Sequence, residues 1–179
     1  MRQCGACQLC CKLLPIRDLG KPANKRCQHQ RFRKGCSIYE RRPKSCRVWG
    51  CGWLWGADTE DFARPDKSHL VIDLSPEFVT INDAPKMPRK FAVIQVWIDP
   101  RFPSAHEDNA FRAYVAKYAA REILTLIRYS ADEAYVLIPP FANDGKEWLI
   151  KGGRCEAYHT PSEIQKGLRE AGFNGMQRI

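Results

Sequence analysis

No run of 18 apolar residues occurs anywhere in this 179-residue chain, so no segment can cross a bilayer as a helix. The opening Met1-Arg2-Gln3-Cys4 carries no apolar signal core, and the expectation is a cytoplasmic protein with no membrane partner. Internal repeats and low-complexity linkers are missing too, which argues against a solenoid and against freely swinging domains. Gly152-Gly153 lacks the GxGxxG context and reads as a turn, leaving nucleotide binding without support. Acidic residues are scarce early in the chain: up to Lys67, 15 Lys and Arg face 6 Asp and Glu, whereas residues 68–179 carry 14 of each kind. Cysteine is almost absent late in it. Cys155 stands alone there with no base beside it in sequence, and reads as an inert core thiol.

What is abundant is cysteine at the start. Eight of the nine lie within the first 51 residues, at Cys4, Cys7, Cys10, Cys11, Cys27, Cys36, Cys46 and Cys51. CxxC spacing lets a tight turn aim two sulfurs at one point, and the thiolate is the form that bonds soft or borderline metals. A disulfide scaffold is the competing explanation. The odd cysteine total, the lack of a secretory leader and a chain long enough to bury a core at 44% hydrophobic content all weigh against it.

The whole formal charge of +9 belongs to the cysteine-rich part. Eight thiolates around two centres of core charge +2 would leave about +5 by ordinary ionisation states. Arg26, Arg31, Arg33, Lys34, Arg41, Arg42, Lys44 and Arg47 are interleaved with the thiols, where a cation lowers thiol pKa and favours metal binding. The alternative is a nucleic-acid face, with these cations meeting phosphates and Trp49, Trp53 and Trp55 offering stacking surfaces. Tryptophans in such a place more often shield a metal site or form a small core.

Composition divides the chain into a cysteine-cluster module at residues 1–67 and a body at 68–179 packed against it. The module shows little sustained amphipathic period, so metal is expected to replace the missing core. Cys7 to Leu14 reads as a short helix ended by Pro15, and Arg42-Pro43-Lys44-Ser45-Cys46 as a helix start that brings Cys46 close to free N–H groups. In the body, Leu70–Leu74 and Phe78–Ile81 read as a hairpin about Ser75-Pro76-Glu77, with Phe91–Ile98 as a third strand. Ser104-Ala105-His106-Glu107 has capping-box form, and Phe111, Tyr114, Val115, Tyr118, Ala119, Ile123, Leu126 and Ile127 share one helical stripe behind it. Ala134–Ile138 and Trp148–Ile150 form a further strand pair around Asn143-Asp144-Gly145. A second capping box, Thr160-Pro161-Ser162-Glu163, opens a helix stopping at Gly172. The fold class expected is α+β: an irregular, metal-stapled N-terminal module on a mostly antiparallel sheet with helices on one face.

Two strings, Cys4-Gly5-Ala6-Cys7-Gln8-Leu9-Cys10-Cys11 and Gly35-Cys36-Ser37-Ile38-Tyr39-Glu40-Arg41-Arg42-Pro43-Lys44-Ser45-Cys46-Arg47, resemble the CxxCxxCC cysteine-cluster family. Its bacterial members are the YkgJ-type zinc- or iron-chelating proteins. The resemblance covers less than a third of the chain. It implies a set of about eight cysteines as metal ligands and places Tyr39 and Glu40 beside them as orienting groups. Flagellin lysine N-methylases share the cluster but are larger, and no matching methyl-donor site is identified here.

Three cysteines at CxxCxxC spacing resemble the run that wraps a cubane iron-sulfur cluster, whereas zinc sites more often use two separated pairs. Ligand spacing therefore leans to iron-sulfur over zinc. Adjacent cysteines are expected to point in different directions, so Cys10 and Cys11 serve different centres or only one of them binds. His29, two residues after Cys27, is the one imidazole placed to enter a zinc shell; His69, His106 and His159 read as surface or capping residues. The functional expectation is a metal-binding accessory protein with one or two all-cysteine centres and an unknown protein partner. A redox or modifying enzyme related to the methylases and a nucleic-acid-binding module are the alternatives.

Overall fold

The computed structural model describes residues 2–81, 89–143, 145–154 and 161–172. Its N-terminal part is built from very short elements: α1 (Leu9–Leu13), the β1 (Gln30–Arg31) and β2 (Gly35–Cys36) hairpin, α2 (Lys44–Val48), α3 (Gly52–Trp55) and α4 (Pro65–Ser68). Helices of four or five residues are too short to hold by propensity. They persist because each is fixed by something outside itself.

The body is a mixed five-stranded sheet in sequential order: β3 (Leu70–Ile81), β4 (Arg89–Ile98), β5 (Leu124–Arg128), β6 (Glu133–Ile138) and β7 (Leu149–Arg154). Three of its four pairings are antiparallel, and α5 (Asn109–Ala119) makes the crossover between the parallel neighbours β4 and β5. The α+β class and the mostly antiparallel sheet follow from this. Leu70, Ile72, Ile94, Val96, Ile98 and Ile127 form one sheet face and pack against Phe111, Tyr114 and Val115 of α5. The last helix, α6 (Pro161–Glu170), lies on the same face, where a Cβ on Gly167 would fall 2.1 Å from the Phe78 ring. The helix is thus in direct backbone contact with the strand.

Three expectations about the body are corrected. First, Ser75-Pro76-Glu77 is no hairpin turn: β3 continues through it along β4, with the register shifting between Asp73 and Glu77. A proline cannot donate to a ladder, but an edge strand with a bulge tolerates it, and Asp73 accepts the Ser75 N–H at 2.9 Å. Second, the cap of α5 is Asp108, whose Oδ1 accepts the Phe111 N–H at 3.0 Å; Ser104 and its neighbours form a 3-10 turn at Pro103–Glu107. Third, the helical stripe stops at Ala119. Glu122 takes a left-handed φ of +59°, the chain reverses, and Leu126 and Ile127 belong to β5. Their spacing suits both periods, and β-branched, flanking-turn context decides for the strand. The Asn143 turn and the second capping box include Asp144 and Thr160, which lie outside the described residues.

The N-terminal part clasps the edge strand β3. Leu9, Leu13 and Cys51 bury against Val71 and Trp97 on the sheet face opposite α5. Gly52 meets the strand from the other side, where a Cβ would sit 2.9 Å from Ile72 Cγ2. Trp49 Nε1 donates to Asp73 at 2.9 Å, and Asn24 Nδ2 to the Tyr129 carbonyl at 2.6 Å. The strongest tie is ionic. Lys12 Nζ donates to both oxygens of Asp99 at 2.6 and 2.7 Å, and Arg101 binds the same carboxylate at 3.1 Å.

The Asp99 side chain is wholly buried. Burial raises its pKa, but hydrogen bonds from Arg101 and Lys12 outweigh that and hold the carboxyl at about 2. A carboxyl depressed in the folded state stabilises above its unfolded pKa of about 3.9, and the contribution disappears as pH falls through the folded value. Urea unfolding is therefore expected to lose about 2 kcal/mol from this group between pH 4 and pH 2. At pH 7, Asp99→Ala strands the Lys12 charge and should cost about 3–5 kcal/mol, whereas Asp132→Ala on the surface should cost under about 0.5 kcal/mol.

Candidate metal centre

The first thiols are presented by a tight turn. The Cys7 N–H donates to the Cys4 carbonyl at 2.8 Å, and Gly5 between them takes φ +50°, a conformation that glycine enters without steric cost. One turn of α1 follows and carries Cys10 and Cys11. Cys51 arrives from the other end of the module as the residue capping α3, its carbonyl accepting the Leu54 N–H at 2.9 Å. Cys4, Cys7, Cys10 and Cys51 line one small cleft, closed by Trp53, Pro65 and Val71. Sulfur and apolar surface make up its wall.

Of the other four thiols, Cys11, Cys27 and Cys36 are joined through the backbone. The Cys27 N–H donates to the Cys11 carbonyl at 3.2 Å, and the Gln30 N–H to the Cys27 carbonyl at 3.0 Å. Gln30 in turn pairs with Cys36 across the β1–β2 hairpin. Cys46 sits in α2, whose Ser45 Oγ donates to Asp18 at 2.8 Å. Burial raises the Cys46 pKa, and the charges of Cys11, Cys27 and Cys36 raise it further against a hydrogen bond from Ser45. Pro43 is the residue before α2 rather than its first position.

All eight thiols are free. No three His, Cys, Asp or Glu side chains among the described residues stand in ligating geometry around one point. Their electrostatics are nevertheless those of neighbours. Burial is the main cause that pushes Cys51 up to about 11, with the charges of Cys4 and Cys7 adding to it. Burial likewise raises Cys4 and Cys7, although the Cys7 sulfur gains some relief from the Leu9 and Asp66 N–H groups. Cys10 and Cys11, expected to point apart, are in contact. The Cys10 thiol donates to Cys11, which raises Cys10 well above its ordinary value and brings Cys11 down to about 7, helped by the nearby charges of Lys21 and Arg42. Beyond this shared contact their surroundings overlap only in part: Cys10 feels Cys7 and Cys51, while Cys11 acts on Cys46 and also on Cys4.

Two residues that sequence reasoning passed over organise the site. Gln8 is buried between the thiols and pins the hairpin, its Nε2 donating to the Arg31 and Gly35 carbonyls at 2.6 and 2.7 Å. Lys21 is buried as well, and its ammonium donates to the Lys12, Leu14 and Pro22 carbonyls at 3.1, 2.5 and 2.9 Å. Burial lowers its pKa, and the surrounding Cys27, Cys11, Cys10 and Cys46 act in the opposite sense. A lone Gln or Lys in a basic, polar stretch carries no pattern that announces such burial.

The expected supporting groups divide. Tyr39 is exposed, but its ring holds the Arg42 guanidinium at 3.6 Å, and Arg42 lowers both Cys4 and Cys11. Glu40 is exposed. His29 pairs with the Gln28 amide at 3.3 Å, His69 stacks on Phe102 at 3.5 Å, and His106 is buried against the Pro103 carbonyl rather than on the surface. Cys155 and His159 lie outside the described residues. Trp49 and Trp53 turn their N–H groups inward to Asp73 and the Phe62 carbonyl, while Trp55 alone of the three exposes most of its ring.

Replacing Lys21 by Met removes three charge-assisted hydrogen bonds and leaves part-buried carbonyls without that donor. The expected loss in chemical denaturation is about 3 kcal/mol, against less than about 0.5 kcal/mol for the exposed Lys25→Met. Comparison of the chain with family models, with curated proteins and with solved structures finds no match.

Proposed function

We propose that residues 1–67 form a metal-stapled module holding two all-cysteine centres, in a cytoplasmic binding or accessory protein. The observation that carries this reading is eight free thiols gathered in one module, with Cys4, Cys7, Cys10 and Cys51 lining one cleft and Cys11, Cys27 and Cys36 tied together by backbone pairing. Cys4, Cys7, Cys10 and Cys51 would hold one centre; Cys11, Cys27, Cys36 and Cys46 the other. The donor set fits soft or borderline metal chemistry, since four sulfurs share a cleft that contains neither carboxylate nor imidazole.

The protein's own contribution is to make thiolates affordable. Lys21, Arg42 and backbone N–H groups offset negative charge at the second centre, and the Leu9 and Asp66 N–H groups do so at Cys7. Trp97 Nε1, buried without a partner among the described residues in the apolar cluster that includes Cys51, supplies a donor of the kind that sulfur ligands accept. A centre with four protein sulfurs keeps no open ligand position, so its first role is to hold short elements in place. An iron-sulfur cluster there would add electron transfer at a potential set by the same cations and N–H groups. The CxxCxxC spacing supports iron-sulfur as the first metal to test and zinc as the second, and the resemblance to the CxxCxxCC family admits either.

Anaerobic purification with metal, acid-labile sulfide and visible-spectrum measurements distinguishes the two. Iron with stoichiometric sulfide and a brown chromophore identifies clusters; colourless protein with two zinc ions identifies structural zinc. Cys7→Ser and Cys46→Ser are each expected to halve the metal content, and the double variant to abolish it. Full metal retention in both single variants would defeat the ligand assignment. Stripping the metal is expected to shift the Trp49 and Trp53 fluorescence as the module loosens, while sheet circular dichroism is retained.

A further inference from the structure

Between residues 25 and 47 the chain carries nine Lys and Arg and a single acid, Glu40. Four cations of the module are occupied: Lys12 with Asp99, Arg64 with Asp66, Arg2 with Thr59, and Lys21 with carbonyls. Arg31, Arg33, Lys34, Arg41, Lys44 and Arg47 are different. All six are exposed, and none forms an ion pair among the described residues. Thiolate charge does not cancel them, because two four-sulfur centres still leave the module at about +5.

Two aromatic rings stand among these cations with no packing role. Phe32, at the tip of the β1–β2 hairpin, is 67% exposed, and Tyr39 in the following turn is 51% exposed. Each has a guanidinium over its face, Arg33 at 5.1 Å from Phe32 and Arg42 at 3.6 Å from Tyr39. Backbone ties through Cys27, Gln30 and Cys36, together with Gln8 beneath, hold the hairpin rigid, so its tip is presented at little entropic cost. An exposed phenylalanine among unpaired cations matches a ligand that offers both negative charge and a planar face.

We propose that the β1–β2 hairpin tip and the turn after it bind single-stranded nucleic acid, Phe32 and Tyr39 stacking on unpaired bases while the surrounding cations meet phosphates. Every base offers a π-face beside a phosphate, which is the combination this surface matches. A duplex hides those faces. An acidic protein segment answers the charge but leaves the rings without a stacking partner. The proposal is independent of which metal the thiols hold.

Fluorescence anisotropy of the full, metal-loaded chain with labelled oligouridine, oligothymidine, a duplex of equal length and polyglutamate tests it. The expected result is binding of both single strands in preference to duplex and polyglutamate, weakening linearly in log–log form with salt. Phe32→Ala and Tyr39→Ala should each weaken single-strand binding by about fivefold or more at fixed salt. Arg33→Glu with Lys34→Glu should flatten the salt slope by about 1.4, and Lys151→Ala on β7 should change nothing. Unchanged metal content and circular dichroism in Phe32→Ala and in the charge-reversal variant keep folding out of the comparison, and Tyr39→Ala, which also frees Arg42 beside the thiols, is compared at equal metal content. No binding at 50 mM salt, or polyglutamate bound as tightly with no effect of Phe32→Ala, would overturn the proposal; the second result would assign the surface to an acidic protein.

Discussion

Residues 1–67 have almost no apolar interior of their own, and that shortage governs the rest of the molecule. Leu9 and Leu13 are the module's buried aliphatic side chains, and both are spent on the sheet at Val71 and Trp97. Cys51 and Phe62 add apolar contacts with the body, and much of the rest is held by polar means: Lys12 on the buried Asp99, Lys21 on three carbonyls, Gln8 on the hairpin, Trp49 on Asp73. Buried polar groups stabilise only when they are satisfied, so the module works as one connected network in which each loss exposes the next group. Eight thiols sit at the centre of this network, where burial alone would keep most of them protonated. A bound metal of the kind proposed would resolve that conflict by replacing protons with a charge shared among the sulfurs that hold it.

The sheet contributes rigidity to an otherwise fragile arrangement. β3 is an edge strand, and an uncovered edge invites pairing with other chains. Here α3 and α4 lie against it, Gly52 allows the close approach to Ile72, and Trp49 reaches the bulge at Asp73. The bulge that admits Pro76 therefore also positions the carboxylate that anchors the module. On the far side, α5 and α6 cover the opposite face, so the cysteine module and the helices grip the same strand pair from two directions. Asp99, at the end of β4, joins this frame directly to the residue after Cys11. Mechanical coupling between the thiols and the body runs through that carboxylate.

The module's surface has a different logic from its interior. Cations near sulfur serve the thiols, as Arg42 does for Cys4 and Cys11. Those on the hairpin tip and α2 form no ion pair among the described residues, and their exposure beside Phe32 and Tyr39 is what the proposed second use of the basic stretch rests on. Tryptophan, the residue type that first suggested stacking, serves chiefly in packing: Trp49 and Trp53 hydrogen-bond inward. Aromatic content predicts a stacking surface only where exposure places it.

Periodicity and cysteine spacing were enough to determine the α+β class, the apolar β4 and a short helix within Cys7 to Leu14, because these depend on neighbours a few residues apart. The eight early thiols were equally visible as a set. Which of them adjoin was not, since the Cys27–Cys11 and Gln30–Cys36 contacts are closed by hydrogen bonds between distant segments. The same limit explains β3 and β5: Ser75-Pro76 has turn chemistry, and Leu126-Ile127 continues a helical stripe, until pairing with β4 overrides both. The burial of Gln8, Lys21 and Asp99 was likewise settled only in three dimensions, because a polar residue becomes interior when its partners arrive from elsewhere in the chain.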